Sequence, residues 1–126
     1  MTGNEYQTAA MRTSSKYITT DQHLLNGALG LAGESGEVAD LIKKIMFQGH
    51  PMDWEHIAKE LGDILWYVAE TASAIGYDLD TIMQMNIDKL KARYPDGFTT
   101  ERSQHREKGD ISVSYTHLTL PTTWPV

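Results

Sequence analysis

Apolar residues recur every three or four positions along most of this chain, and the runs end at glycine and proline. Residues 5–13 read as a short first helix, with Asn4 placed to cap it. Leu24, Ala28, Leu31, Val38, Leu41, Ile42 and Ile45 form a stripe that predicts a second helix over residues 22–48. Asp21 stands at its cap position, and Gly49-His50-Pro51 is its stop signal. Asp53 caps a third helix, whose stripe is Ile57, Leu61, Ile64, Leu65, Val68, Ala72 and Ile75, closed by Gly76. Asp78 or Asp80 opens a fourth, carrying Leu79, Ile82, Met83, Met85, Ile87 and Leu90, and Pro95 stops it near Tyr94. Nothing before Asp110 alternates with the period of two that a strand requires. The pattern predicts an all-α bundle of three long helices and one short N-terminal helix.

Residues 99–110 are polar and mixed in charge, which suits a loop or frayed helix. Residues 111–126 differ in kind: they hold no Asp, Glu, Lys or Arg, but four threonines and two prolines. Val113-Ser114-Tyr115-Thr116-His117-Leu118-Thr119-Leu120-Pro121-Thr122 resembles the in-frame translation of a transposon sequencing adaptor. The expectation is one domain over residues 1–110, followed by a non-native, disordered tail.

A chain of 126 residues is long enough to bury a single core. Its formal charge of −6 disfavours nucleic-acid polymers and anionic membranes as partners. The absence of cysteine excludes disulfides, zinc–thiolate sites and thiol nucleophiles. No apolar run reaches membrane-spanning length, so a cytoplasmic location is the default expectation.

Chemistry enters through an acidic pattern written twice. Gly33-Glu34-Ser35-Gly36-Glu37-Val38 is echoed by Lys59-Glu60-Leu61-Gly62-Asp63-Ile64, and both copies read Glu, any residue, Gly, acid, β-branched aliphatic. Carboxylates three apart share one helix face. At about 100° per residue, Glu34 lies about 75° from the centre of its stripe and Glu60 about 80° from its own. Two such helices packed antiparallel would bring four carboxylates together, and that much negative charge calls for a cation. A single acid pair at this spacing is usually a solvated face; two pairs of matching phase point to a metal site. Oxygen-only ligands suit Mg²⁺, with Mn²⁺ as the alternative, rather than zinc. The Glu-x-x-His pattern of ferritin-like di-iron bundles is absent. A mid-helix glycine costs about 1 kcal/mol relative to alanine. Gly36 and Gly62 are therefore expected to let the two backbones approach beside the acids.

At these residues the chain resembles the MazG-like nucleoside triphosphate pyrophosphohydrolases. The matching segments are Leu29-Gly30-Leu31-Ala32-Gly33-Glu34-Ser35-Gly36-Glu37-Val38, Lys59-Glu60-Leu61-Gly62-Asp63-Ile64-Leu65-Trp66-Tyr67 and Asn86-Ile87-Asp88-Lys89-Leu90-Lys91-Ala92-Arg93-Tyr94-Pro95. The resemblance implies an all-α fold, assembled as a dimer or a dimer of dimers. It also implies Mg²⁺-dependent hydrolysis of nucleoside triphosphates, with deoxynucleotides the expected substrates, to monophosphate and pyrophosphate. Glu34, Glu37, Glu60 and Asp63 match the family's metal-ligand positions. Many members carry two adjacent acids at the start of the first motif, where this chain has Gly33, leaving four carboxylates rather than five.

In the family the Asn and Lys of the third segment contact phosphate or sugar, which implies those roles for Asn86 and Lys89. Arg93 shares their helix face by spacing. Lys44, two turns beyond Glu37, is a further phosphate candidate, although a surface lysine is the commoner outcome. Tyr67 falls between Glu60 and Asp63 in phase and is a candidate for substrate contact, whereas Trp66 is expected to point elsewhere. The five histidines lie in caps, loops and the tail without ligand spacing, and none is read as catalytic. Two other functions fit: a specialised phosphoribosyl-ATP or dUTP pyrophosphohydrolase, and a non-catalytic helical adaptor that binds a cation.

Overall fold

A computed structural model of the chain describes residues 1–105. These residues form α1 (Gly3–Met11), α2 (Thr20–Phe47), α3 (Trp54–Ala74), α4 (Leu79–Arg93) and α5 (Thr100–Gln104), and every regular element among them is a helix. The expected adaptor-like tail lies outside the described residues. No described helix is long and apolar enough to cross a membrane.

Helix starts follow reciprocal capping rather than the nearest acid. The Thr2 hydroxyl accepts from the Glu5 N–H at 3.0 Å, and the Glu5 carboxylate accepts from the Thr2 N–H at 3.0 Å. Thr19 and Gln22 make the same box at 3.1 and 2.9 Å. Two orphan donors are satisfied at once in each box, so α1 starts ahead of Asn4 and α2 ahead of Asp21. Asp53 caps α3 as its sequence suggests, its Oδ1 accepting from the His56 N–H at 3.0 Å. The α3–α4 turn needs a left-handed residue, and Gly76 supplies it at φ 79°.

The chain divides into two compact units, Met1–Leu79 and the part from Asp80 onward. In the first, α2 and α3 pack antiparallel. Glu34 meets Glu60 and Asp63, Gly30 meets the Tyr67 ring, Gly27 meets Thr71, and Asn26 bonds Glu70. Residue numbers rise on one helix as they fall on the other. A Cβ at Gly27 would collide with the Thr71 side chain, and one at Gly30 with the Tyr67 ring. These two glycines set the close approach of the backbones. Gly36 and Gly62, expected to do so, have open space where a Cβ would stand. The close contacts at Gly27 and Gly30 lie one to two turns away from the acids, where the Tyr67 and Thr71 side chains need room.

Helix α1 is fastened to α3 by polar side chains. The Trp66 indole N–H donates to the Ala10 carbonyl at 3.0 Å and the Thr13 hydroxyl at 2.8 Å. The Gln7 amide donates to the Ser73 hydroxyl at 2.9 Å and the Tyr77 carbonyl at 3.0 Å, and accepts from the Leu79 N–H at 2.8 Å. Among the described residues, Ala69, Ala72 and Leu79 are the buried hydrophobic ones. Leu61 and Leu65, expected in the buried stripe, are about half exposed, at 50% and 52%. Leu61 follows Glu60 of the seam by one position, about 100° round the helix, and Leu65 lies one turn beyond Leu61 on that outer face.

In the second unit α4 ends before Pro95, as expected, and Tyr94 packs on Phe98 with ring centroids 5.1 Å apart. Within the stretch expected to be loop or frayed helix, Thr99 caps the short α5 through the Arg102 N–H at 3.1 Å.

Candidate metal centre

Facing turns of α2 and α3 bring Glu34, Glu60 and Asp63 together, with one carboxylate oxygen from each lying within 4.8 Å of the others. Glu34 and Glu60 are half-buried and Asp63 is exposed. The Glu34 and Glu60 carboxyls lie close enough to share a hydrogen bond when one of them is protonated. That bond is the largest cause holding the Glu34 carboxyl above its ordinary pKa of 4.5. Partial burial follows, and then the charges of Asp63, Glu60 and Glu37. Glu37 itself is exposed and stands outside the tight group, although its charge reaches Glu34.

A cavity of about 280 Å³ opens at the cluster, lined by Glu34, Asp63, Trp66 and Tyr67. Tyr67 thus borders the acids, as its phase suggests. Trp66 borders them too, against expectation. Its N–H is engaged by α1, and its ring stands edge-on to Tyr67 at 5.1 Å and 84°. From α1, the Tyr6 hydroxyl is pushed above its ordinary pKa of 10.0 by burial and then by the Asp63 charge. Tyr6 is therefore near enough to Asp63 to feel its charge, a neighbour that spacing within α3 could not reveal.

Lys44 is held by Asp40, Nζ to Oδ2 at 2.9 Å, and Lys43 reaches the same carboxylate at 3.3 Å. Both contacts depress the Asp40 pKa, and the Asp40 bond raises that of Lys44. Asn86, Lys89 and Arg93 lie on α4, Asn86 exposed and the two cations half-buried.

Two histidines hold carboxylates, which the sequence reading missed. His56 Nε2 stands 3.2 Å from Glu60 Oε1, one turn before it on α3. The signal was present as a histidine four residues ahead of a motif acid. His23 Nδ1 stands 3.2 Å from Glu70 Oε2. Glu70 itself lies seven residues after Asp63, on the same helical face.

The donor set fits a hard divalent cation, being all oxygen and clustered. A raised carboxyl binds its proton more tightly in the folded chain than in the unfolded one. Without a cation, Glu34 therefore costs the fold stability as pH rises above 4.5. Mg²⁺ is expected to raise the melting temperature at neutral pH, because only the folded chain presents the cluster. Glu34→Gln is expected to melt higher than the wild type without cation and to respond less to it. A Mg²⁺ titration followed by circular dichroism checks both, and a flat wild-type curve would remove the preformed centre.

The described residues thus define an all-α domain with an oxygen-only acid cluster across the seam of an antiparallel helical hairpin. Residues 20–98 match the MazG nucleotide pyrophosphohydrolase domain, and the chain belongs to that family. It is also 34% identical over 96 residues to the Gene 37 protein of Mycobacterium phage L5, covering 70% of this chain and 84% of that relative. No solved structure matches the chain at a significant level.

Proposed function

We propose that this chain hydrolyses nucleoside triphosphates between the α- and β-phosphates, releasing the monophosphate and pyrophosphate, with Mg²⁺ as its cofactor. The observation that carries the reading is the meeting of Glu34, Glu60 and Asp63 across the α2–α3 seam, in a chain of this family. Glu34, Glu60 and Asp63 hold the cation, and His56 steadies Glu60. A divalent cation in such a setting neutralises phosphate oxygens and lowers the pKa of a bound water. Glu37, one turn from Glu34 and outside the tight group, supplies the fourth carboxylate, to the cation or to the proton of the attacking water. Tyr67 lines the cavity at the acids, which supports a role for it beside the reacting end of the substrate. Asn86 and Lys89 are proposed as phosphate or sugar contacts on the strength of the family resemblance, Arg93 because its spacing puts it on their helix face, and Lys44 because it stands two turns beyond Glu37 on α2.

The test is a panel of ribo- and deoxynucleoside triphosphates with Mg²⁺, scored for monophosphate plus pyrophosphate. Release of single phosphates, or no release from any nucleotide, would overturn the reading.

Assembly as a homodimer or dimer of dimers completes the proposal. Leu25 and Leu29 on α2 are 55% and 65% exposed, and Leu61 and Leu65 on α3 add to that apolar surface. Light scattering is expected to return at least twice the chain mass of 14.1 kDa at micromolar concentration; a monomer would contradict it.

A further inference from the structure

Glu70 is the largest fully buried side chain among the described residues, with 2% of its surface exposed. A carboxylate in that position is costly, and an aliphatic side chain of similar size would serve packing as well or better. It also borders space: a cavity of about 280 Å³ lined by Met11, Ser14, Thr20, His23, Glu70, Ser73 and Ala74. Asn26 Nδ2 donates to Glu70 Oε1 at 2.8 Å. On Oε2, His23 Nδ1 stands at 3.2 Å and the Ser14 hydroxyl at 3.5 Å. An ionised carboxylate has about four acceptor sites, and the Ser14 contact lies at the outer limit of a hydrogen bond. A rotatable hydroxyl at that distance yields readily to a better donor.

The cavity's place on the seam suggests its occupant. Glu60, Asp63, Tyr67 and Glu70 fall three, four and three residues apart, on one face of α3. Glu70 is seven residues beyond Asp63, about 10 Å along the helix axis. That is the reach of a nucleotide from its α-phosphate to the far edge of its base. Met11 and Ala74 offer apolar walls to a flat ring, and the buried carboxylate offers only acceptors.

We propose that the Glu70 cavity reads the base of the nucleotide and selects bases that present adjacent N–H donors, guanine above all. The inference rests on the proposed pyrophosphohydrolase reading for its substrate class. Guanine sets a ring N–H beside an amino group, both able to donate to a carboxylate. Uracil and thymine flank their one ring N–H with two carbonyls, which a carboxylate repels. Glu70 is thus a specificity residue, acting on substrate binding rather than on the bond that breaks.

Two measurements on the full chain test this. In calorimetry with nucleosides that carry no phosphate, guanosine is expected to bind at least about tenfold more tightly than uridine. Glu70→Gln, which replaces one acceptor by a donor, is expected to abolish that difference. Ala74→Leu, which fills the cavity and leaves the Glu70 network untouched, is expected to abolish guanosine binding with an unchanged circular dichroism spectrum. Glu60→Gln is expected to keep guanosine binding. In hydrolysis, Glu70→Gln is expected to raise KM for guanine nucleotides about tenfold and leave kcat unchanged. Equal binding of both nucleosides by the wild type, or guanosine binding undiminished in both cavity variants, would overturn the base site. Glu70-dependent guanosine binding without hydrolysis of any nucleotide would support the base site while overturning the reaction.

Discussion

Glu60→Gln and Asp63→Asn are each expected to lower kcat by on the order of a hundredfold or more, with the helical content intact. Either change keeps the side-chain volume and removes one charge from a group whose oxygens lie within 4.8 Å of one another. Charge stabilisation by a bound cation is worth several kcal/mol, and each 1.4 kcal/mol lost is about tenfold in rate. Stability has the opposite expectation. Glu60 and Asp63 both act to raise the Glu34 pKa, so each adds to the repulsion that the cation-free fold must bear. The variants are therefore expected to melt no lower than the wild type without Mg²⁺. His56→Ala is expected to cost less, about ten- to a hundredfold, as an outer-shell partner of Glu60. Steady-state pyrophosphate release at saturating Mg²⁺, paired with melting curves, checks all three. Wild-type rates for Glu60→Gln and Asp63→Asn would dismiss the cluster as the reaction centre.

Most of the helical layout was legible because it depends on local rules. The periodicity of α2 and α3, the Asp53 cap, the Gly76 turn and the Pro95 stop all act within a few residues. The meeting of Glu34 with Glu60 and Asp63 was legible for a different reason: two copies of one motif, packed antiparallel, must face each other. What escaped needed the pairing register. Thr71 and Tyr67 choose Gly27 and Gly30 as the close contacts only once α2 and α3 are aligned. The same alignment sets Asn26 and His23 against Glu70, which read alone looks like a surface acid. Tyr6 reaches Asp63 because α1 folds back on α3, a tertiary fact that no spacing encodes.

Exchanging glycines on α2 separates the two explanations of why they are there. Gly30→Ala is expected to destabilise the fold by about 1–3 kcal/mol, the usual cost of forcing extra atoms into a packed interface. Its new Cβ would run into the Tyr67 ring, and that ring cannot swing away without leaving the seam beside Glu34 and Asp63. For a domain of this size each 1 kcal/mol is about 4–8 °C in melting temperature, so the loss would be plain in a thermal scan. Gly30 lies one turn before Glu34, and pushing α2 away from α3 there would also part Glu34 from Glu60 and Asp63. Activity is thus expected to fall together with stability. Gly36→Ala meets open space and relieves the entropy cost of a mid-helix glycine, so a gain of up to about 1 kcal/mol is expected. The two substitutions differ by one methyl placed six residues apart, and opposite signs are expected from them. A neutral Gly30→Ala, or a Gly36→Ala that melts several degrees lower, would mean that the helices approach beside the acids after all.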